Sequence, residues 1–341
     1  MKNIKFICMI LVFSLILISS CKQNPYKVDV SSVDIDLGIK RFETDLFSID
    51  PEKIGDNIPR LRDQYGSFLQ LFSYVINAGE VGDTTFINYL LSFCTDKINN
   101  EVYNAVMASY PDVQWLEDGI EEAFRHYLWY FPGRNVPDVY TCITGFNNSM
   151  ITLKDSVLAI GLDRYLGSDC DFYKRLNIYG YLALRMNSYN ILPDCMYAWA
   201  KTQWNFEDMN YQIDNVLTEM IHEGKLRYFE RCMLPGMADT LLLGFSSDQM
   251  RFCLNNEAQM WEYLVEHDLL FSTDQMVIRK LTGEAPFTSY FTSESPGRAS
   301  VWIGFRIIES YMKHNPEITL EGLMNETDVQ GLLGKSKYMP R

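Results

Sequence analysis

The sequence predicts a predominantly helical α+β unit with a small antiparallel sheet, carried behind a lipoprotein leader. Three observations point that way. Apolar residues recur at steps of three and four over most of the chain, and three short apolar segments crowd between residues 139 and 160. The composition, 47% hydrophobic and 14% aromatic against 22% charged, is that of a globular body. No Gly-Pro linker, low-complexity run or internal repeat divides it, so the expected plan is a leader over 1–20, a lipidated cysteine and polar tether over 21–33, and one domain over 34–341.

The leader reads as a basic n-region with Lys2 and Lys5, a short apolar run from Phe6 to Ile18, and the small-residue ending Ser19-Ser20-Cys21. A helix that crosses a bilayer needs about 20 apolar residues, and this run is shorter, which favours a cleaved signal over a permanent span. Cys21 directly after two small residues fits a lipobox, in which the thiol is acylated; an ordinary signal with an incidental cysteine is the bland alternative. Acyl chains at roughly 0.8 kcal/mol per buried CH₂ make membrane lipid the first expected partner.

Along the body, Val33 to Leu37 alternates as a short strand does. Asp50-Pro51-Glu52 is a cap, a first-turn proline and a first-turn acid, and the face Ile54, Ile58, Leu61, Tyr65, Phe68, Phe72 follows it, with a bend expected at Pro59. Phe86, Leu90, Cys94 and Ile98 predict a second helix, and Leu116, Ile120, Phe124 and Leu128 a third, ended by Pro132-Gly133. Val139–Phe146, Ser149–Leu153 and Ser156–Ile160, separated by Asn147-Asn148 and Lys154-Asp155, read as an antiparallel meander. Helices are then expected near 172–188, 194–205, 211–233, 247–267, 273–282 and 299–314, with Ser246-x-x-Gln249 as a capping box.

A net charge of −14 and a pI near 4.8, with lysine and arginine scattered, argue against nucleic acid as a partner. Six cysteines lie beyond Cys21: Cys94, Cys142, Cys170, Cys195, Cys232 and Cys253. Their wide spacing contains no CxxC pair, so they read mainly as small buried residues, with room for one bridge.

The strongest chemical signal lies within Thr218–Leu226, where His222-Glu223 is the first half of the zincin signature. In an intact HExxH, two histidines four residues apart share a helix face and bind Zn²⁺ while the Glu polarises the bound water. Here Leu226 takes the second position and cannot ligate. A zinc site would have to draw on His222 with Glu257 or Glu219, leaving Glu223 as the base; the bland reading is a hydrogen-bonded helix histidine. The sequence holds no G-x-S-x-G elbow, P-loop or G-x-G-x-x-G. The aromatic runs Tyr127–Phe131 and Trp302–Tyr311 read as core before groove.

The sequence resembles the gliding-motility lipoprotein GldB family of Bacteroidetes. The matching stretches, in order along nearly the whole mature chain, are Lys40-Arg41-Phe42 with Asp45-Leu46-Phe47, Ile160-Gly161-Leu162-Asp163 with Tyr165-Leu166-Gly167, and Asn255-Asn256-Glu257 with Trp261. Leu269 to Asp274, Ala285-Pro286-Phe287-Thr288, Ser295-Pro296-Gly297-Arg298 with Trp302-Ile303-Gly304, and the tail Lys335 to Pro340 complete the set. The resemblance implies a membrane-anchored envelope component needed for movement over surfaces. That family in turn resembles predicted zinc-dependent proteases, many members having lost the ligands. His222-Glu223 without a second histidine then implies a degenerate zincin-like unit, a pseudoenzyme with no catalytic residue, no cofactor and an envelope protein as partner. A zinc-dependent peptidase or amidase is the alternative. Lys22-Gln23-Asn24 is not the acidic run that resembles surface-export signals, so the body is expected to face the periplasm.

Overall fold

The structure, a computed structural model, describes residues 24–341. The leader and the lipidation candidate Cys21 lie outside the described residues. From Asn24 the chain already lies against the body: the Asn24 amide donates to the Pro235 carbonyl at 2.6 Å, and the Tyr26 hydroxyl donates to Glu309 at 3.0 Å.

Strand β1, Ile39–Arg41, comes later than the strand expected at Val33–Leu37, which is irregular. The alternation there records which side chains face inward, whereas a ladder needs a partner edge, and β2 offers one only from Ile39 onward. Helix α1 (Phe42–Phe47) follows, then α2 (Ile54–Val75), led in by a 3₁₀ turn whose cap, the Asp50 side chain, accepts from the Glu52 N–H. The predicted apolar face of α2 is buried throughout. The bend falls at Gly66 (φ 50°, ψ −128°) and not at Pro59, because only glycine adopts that backbone cheaply. A Cβ at Gly66 would meet nothing within 4 Å, so Gly66→Ala isolates backbone strain from packing. It is expected to cost about 1–3 kcal/mol in urea denaturation.

Helices α3 (Phe86–Thr95) and α4 (Lys97–Ser109) replace the single second helix that was expected. Asp96 separates them by capping the Asn99 N–H at 2.9 Å, and Ile98 is exposed on α4 and not part of the α3 face. Helix α5 spans Gln114–Tyr130.

Strands β2 (Asp138–Cys142), β3 (Met150–Leu153) and β4 (Val157–Gly161) complete a sheet of order β1-β2-β4-β3. It is mixed and not an antiparallel meander: β1/β2 and β2/β4 are parallel, and only β3/β4 is antiparallel. The reason is burial on both faces. All five residues of β4 are buried, as in parallel sheets covered on both sides, so Val157-Leu158-Ala159-Ile160 is a central strand and not a half-wet meander edge. Val157 and Ala159 pack on the α1–α3 side, and Leu158 and Ile160 on the larger helical core.

That core is built from α6 (Ile191–Gln203), α7 (Val216–Met233), α8 (Ser247–Asn255), α9 (Glu257–Glu266), α10 (Gln275–Thr282), α11 (Ala299–His314), α12 (Leu320–Asn325) and α13 (Val329–Ser336). The Ser246/Gln249 capping box forms. Two expected helices are broken: 172–188 into short helices at Asp171–Arg175 and Gly180–Ala183, with Asn177 left-handed between them, and 247–267 at Asn256. The six cysteines are free and five are buried, so the bridge their even number allowed is not formed. Among the described residues, no helix is long and apolar enough to cross a membrane.

Candidate functional site

Helix α7 is buried nearly all round, with fifteen of its eighteen residues inside. Its start is fixed by Asn215, whose side chain accepts from the Thr218 N–H at 2.9 Å. Midway it crosses α11 backbone to backbone: a Cβ on Gly224 would stand 2.5 Å from the carbonyl carbon of Gly304, and one on Gly304 would run into the Met220 carbonyl oxygen. Glycine at both positions is what permits this approach.

Successive residues of a helix point about 100° apart, so the half-motif disperses. His222 packs edge-on against Phe206 and Tyr211, and its Nδ1 is 3.0 Å from the Tyr211 hydroxyl. Glu223 turns toward α6, where the Tyr197 hydroxyl donates to both its oxygens at 3.0 and 2.9 Å. The buried Lys225 ammonium donates to the Met324 and Glu326 carbonyls, satisfying the end of α12, and burial pushes it down to about 7. Leu226 is fully inside the core.

These positions do not fit a zinc centre. Glu257 is held by Arg306 at 3.3 Å and by the Tyr338 hydroxyl at 3.0 Å, while His222 is engaged with Tyr211. Glu219 lies with Glu223 in a cavity of α7 that His222 does not line. Among the described residues, no group of three or more His, Cys, Asp or Glu is arranged to hold a metal.

What the fold assembles instead is a charged cavity of about 340 Å³. Glu219, Glu223 and Arg227 are spaced by four on α7, and Asp194, Tyr197 and Lys201 by three and four on the facing helix α6; such spacings put each set on one stripe. Tyr197, Lys201 and the α7 stripe line the cavity, with Arg279 from α10 and Arg185, Glu284 and Arg298 from loops. Arg227 and Arg298 are buried at its base, whereas Lys201 and Arg279 are exposed at its mouth. Arg227 lies over the Tyr197 ring at 3.9 Å and donates to Glu230 at 2.9 Å and to the Leu242 carbonyl at 2.7 Å. Glu284 is shared by Arg185 at 3.0 Å and Arg298 at 3.3 Å, and Arg185 also reaches Asp194 at 2.9 Å. Burial and the neighbouring Glu223 push Glu219 up to about 7, and burial pushes Arg298 down to about 10.

The chain matches the family model for the gliding motility protein GldB over residues 23–340. It belongs to the GldB family. No curated protein and no solved structure matches it. One of the stretches that carried the resemblance, Ser295-Pro296-Gly297-Arg298, brings Arg298 into the cavity, and Thr288 of another braces it. The Thr288 hydroxyl donates to the Pro296 carbonyl at 2.8 Å and accepts from the Ala299 N–H at 3.0 Å, which caps α11. Arg298, left-handed at φ 61°, then sends its guanidinium back to the Leu243 carbonyl at 3.0 Å. Asp163, in another stretch, is fully buried and accepts from the Thr144 and Phe146 N–H groups, which fixes the β2–β3 connection. Arg185, Tyr197, Arg227, Arg279 and Glu284 were not singled out from the sequence. The i, i+4 stripe Glu219–Glu223–Arg227 was the available signal for one of them.

Burial, with Lys225 and Lys201 adding to it, pushes His222 down to about 3. From pH 6.5 down to about 3 the unfolded chain binds a proton that folded His222 refuses, so this group destabilises the fold as pH falls through that window. The slope is on the order of 1.4 kcal/mol per pH unit. The raised carboxyls of Glu219 and Asp163 act in the opposite sense, and cancel when the wild type is compared with His222→Gln. Urea denaturation at pH 7, 5 and 4 is expected to show a shallower acid loss in the variant; parallel losses would refute this assignment.

Proposed function

We propose that this GldB-family chain is a lipid-anchored envelope component that acts by binding a partner on the α6–α7 face, and not by hydrolysis. Family membership supports the envelope and motility setting. One observation carries the binding reading: the Glu223 carboxylate, which would serve as base in a zincin, has both oxygens engaged by Tyr197 within a salt-bridged cavity. The degenerate zincin-like scaffold rests on His222-Glu223 and the helix that carries them. Lipidation at Cys21 would tether the body to a membrane, with the periplasm as its expected compartment and an envelope protein as its expected partner.

The test is complementation in a gliding bacterium that lacks the corresponding gene, with spreading over a surface as the readout. Glu223→Gln keeps the size of the side chain and its bonds to Tyr197 while removing a general base, and is expected to move like the wild type. Cys21→Ala is expected not to. Loss of movement in Glu223→Gln, with the chain present at normal level, would favour the peptidase reading instead.

A further inference from the structure

We infer that the α6–α7 cavity is a binding site for a phosphoryl group. Five cationic side chains line it against three carboxylates. Of the carboxylates, Glu284 is paired with Arg185 and Arg298, and Glu223 accepts from the Tyr197 hydroxyl. Lys201 and Arg279 form no ion pair among the described residues, so a cationic surplus stands at the mouth of a protein whose net charge is −14. A global negative charge repels anions at long range, but at contact distance the local surplus and low dielectric dominate.

The second observation is at the base. Arg227 is 2% exposed, and only its Nη1 has acceptors, in Glu230 and the Leu242 carbonyl. Its Nε and Nη2 are buried without a partner. Those two nitrogens form the side-on fork that grips an oxyanion bidentately. A buried donor pair left without an acceptor costs on folding, and an anion seated against it would recover that loss. The two cations at the mouth that form no ion pair among the described residues, Lys201 and Arg279, and N–H donors arriving from several directions, suit a tetrahedral dianion better than a carboxylate. The source of that group is a soluble phosphate monoester or a lipid headgroup, which share the chemistry.

This inference rests on the binding reading above. The detergent-solubilised full chain is titrated with inorganic phosphate at constant ionic strength, with acetate in parallel, and thermal unfolding and ³¹P line width are followed. Saturable stabilisation by phosphate and none by acetate is expected, with affinity weakened about tenfold or more in Lys201→Ala/Arg279→Ala. Both positions are exposed, so this variant should fold. Lys53→Ala, an exposed charge outside the cavity, should leave affinity unchanged. Equal response to acetate, or unchanged phosphate affinity in the double variant, would overturn the site. Vesicles of phosphatidylcholine with phosphatidic acid separate the sources: binding that phosphate competes away assigns a headgroup, and no binding beside a positive phosphate titration assigns a soluble phosphate. Failure of phosphate to bind a wild-type chain that supports movement would sink this inference and leave the binding reading standing.

Discussion

Gly304→Ala is expected to destabilise the fold by about 3 kcal/mol or more, read as a lowered urea midpoint. The added Cβ would collide with the Met220 carbonyl, a backbone atom in the middle of α7 that cannot swing aside as a side-chain tip can. The helices must separate, and Trp302, Ile303 and Ile307, all buried on α11, then lose contact with the core. Gly224→Ala meets the same crossing from the other side, so the two substitutions together should cost clearly less than the sum of each alone. Gly334→Ala is the control. It is helical on α13 with nothing within 4 Å of an added Cβ, and should stabilise by about 0.5–1 kcal/mol.

This crossing also marks what the sequence could and could not convey. Long amphipathic faces were legible because period and burial coincide: the α2 face and the start of α11 at Ala299 are as read, and the Ser246/Gln249 box announced α8. Helix α7 is buried on nearly every side, so its amphipathic period carries little information, and the crossing shows only as two glycines with no pattern that pairs them. The sheet was legible as segments but not as topology, since an apolar run such as Val157–Ile160 does not declare whether its neighbours run parallel. The candidate site was legible in part. Glu219 and Glu223 do line the cavity, but His222 was linked to them only by a motif and Glu257 only as a candidate ligand on another helix. Geometry sends His222 to Tyr211 and Glu257 to Arg306 and Tyr338. Arg185, Arg279, Glu284 and Arg298 come together from separate loops and helices, a convergence that a linear pattern does not encode.

The second large effect is expected at Arg227. Arg227→Met removes the guanidinium that pairs with Glu230, a carboxylate with no exposure, and also leaves the Leu242 carbonyl without that donor. Stranding one buried member of an ion pair costs about 3–5 kcal/mol. The pair itself is worth far less than this figure, since desolvation of both charges offsets most of their attraction. Arg227→Met/Glu230→Gln should therefore recover most of the stability lost in Arg227→Met, because a neutral amide replaces the stranded charge. A double variant no more stable than Arg227→Met would place the cost in lost packing on the Tyr197 ring and not in the charge. The same double variant separates the two roles of Arg227. It restores the fold without restoring the Nε–Nη2 fork, so a chain that is stable but weak in phosphate binding would show that the cavity uses the edge of Arg227 that the fold leaves free.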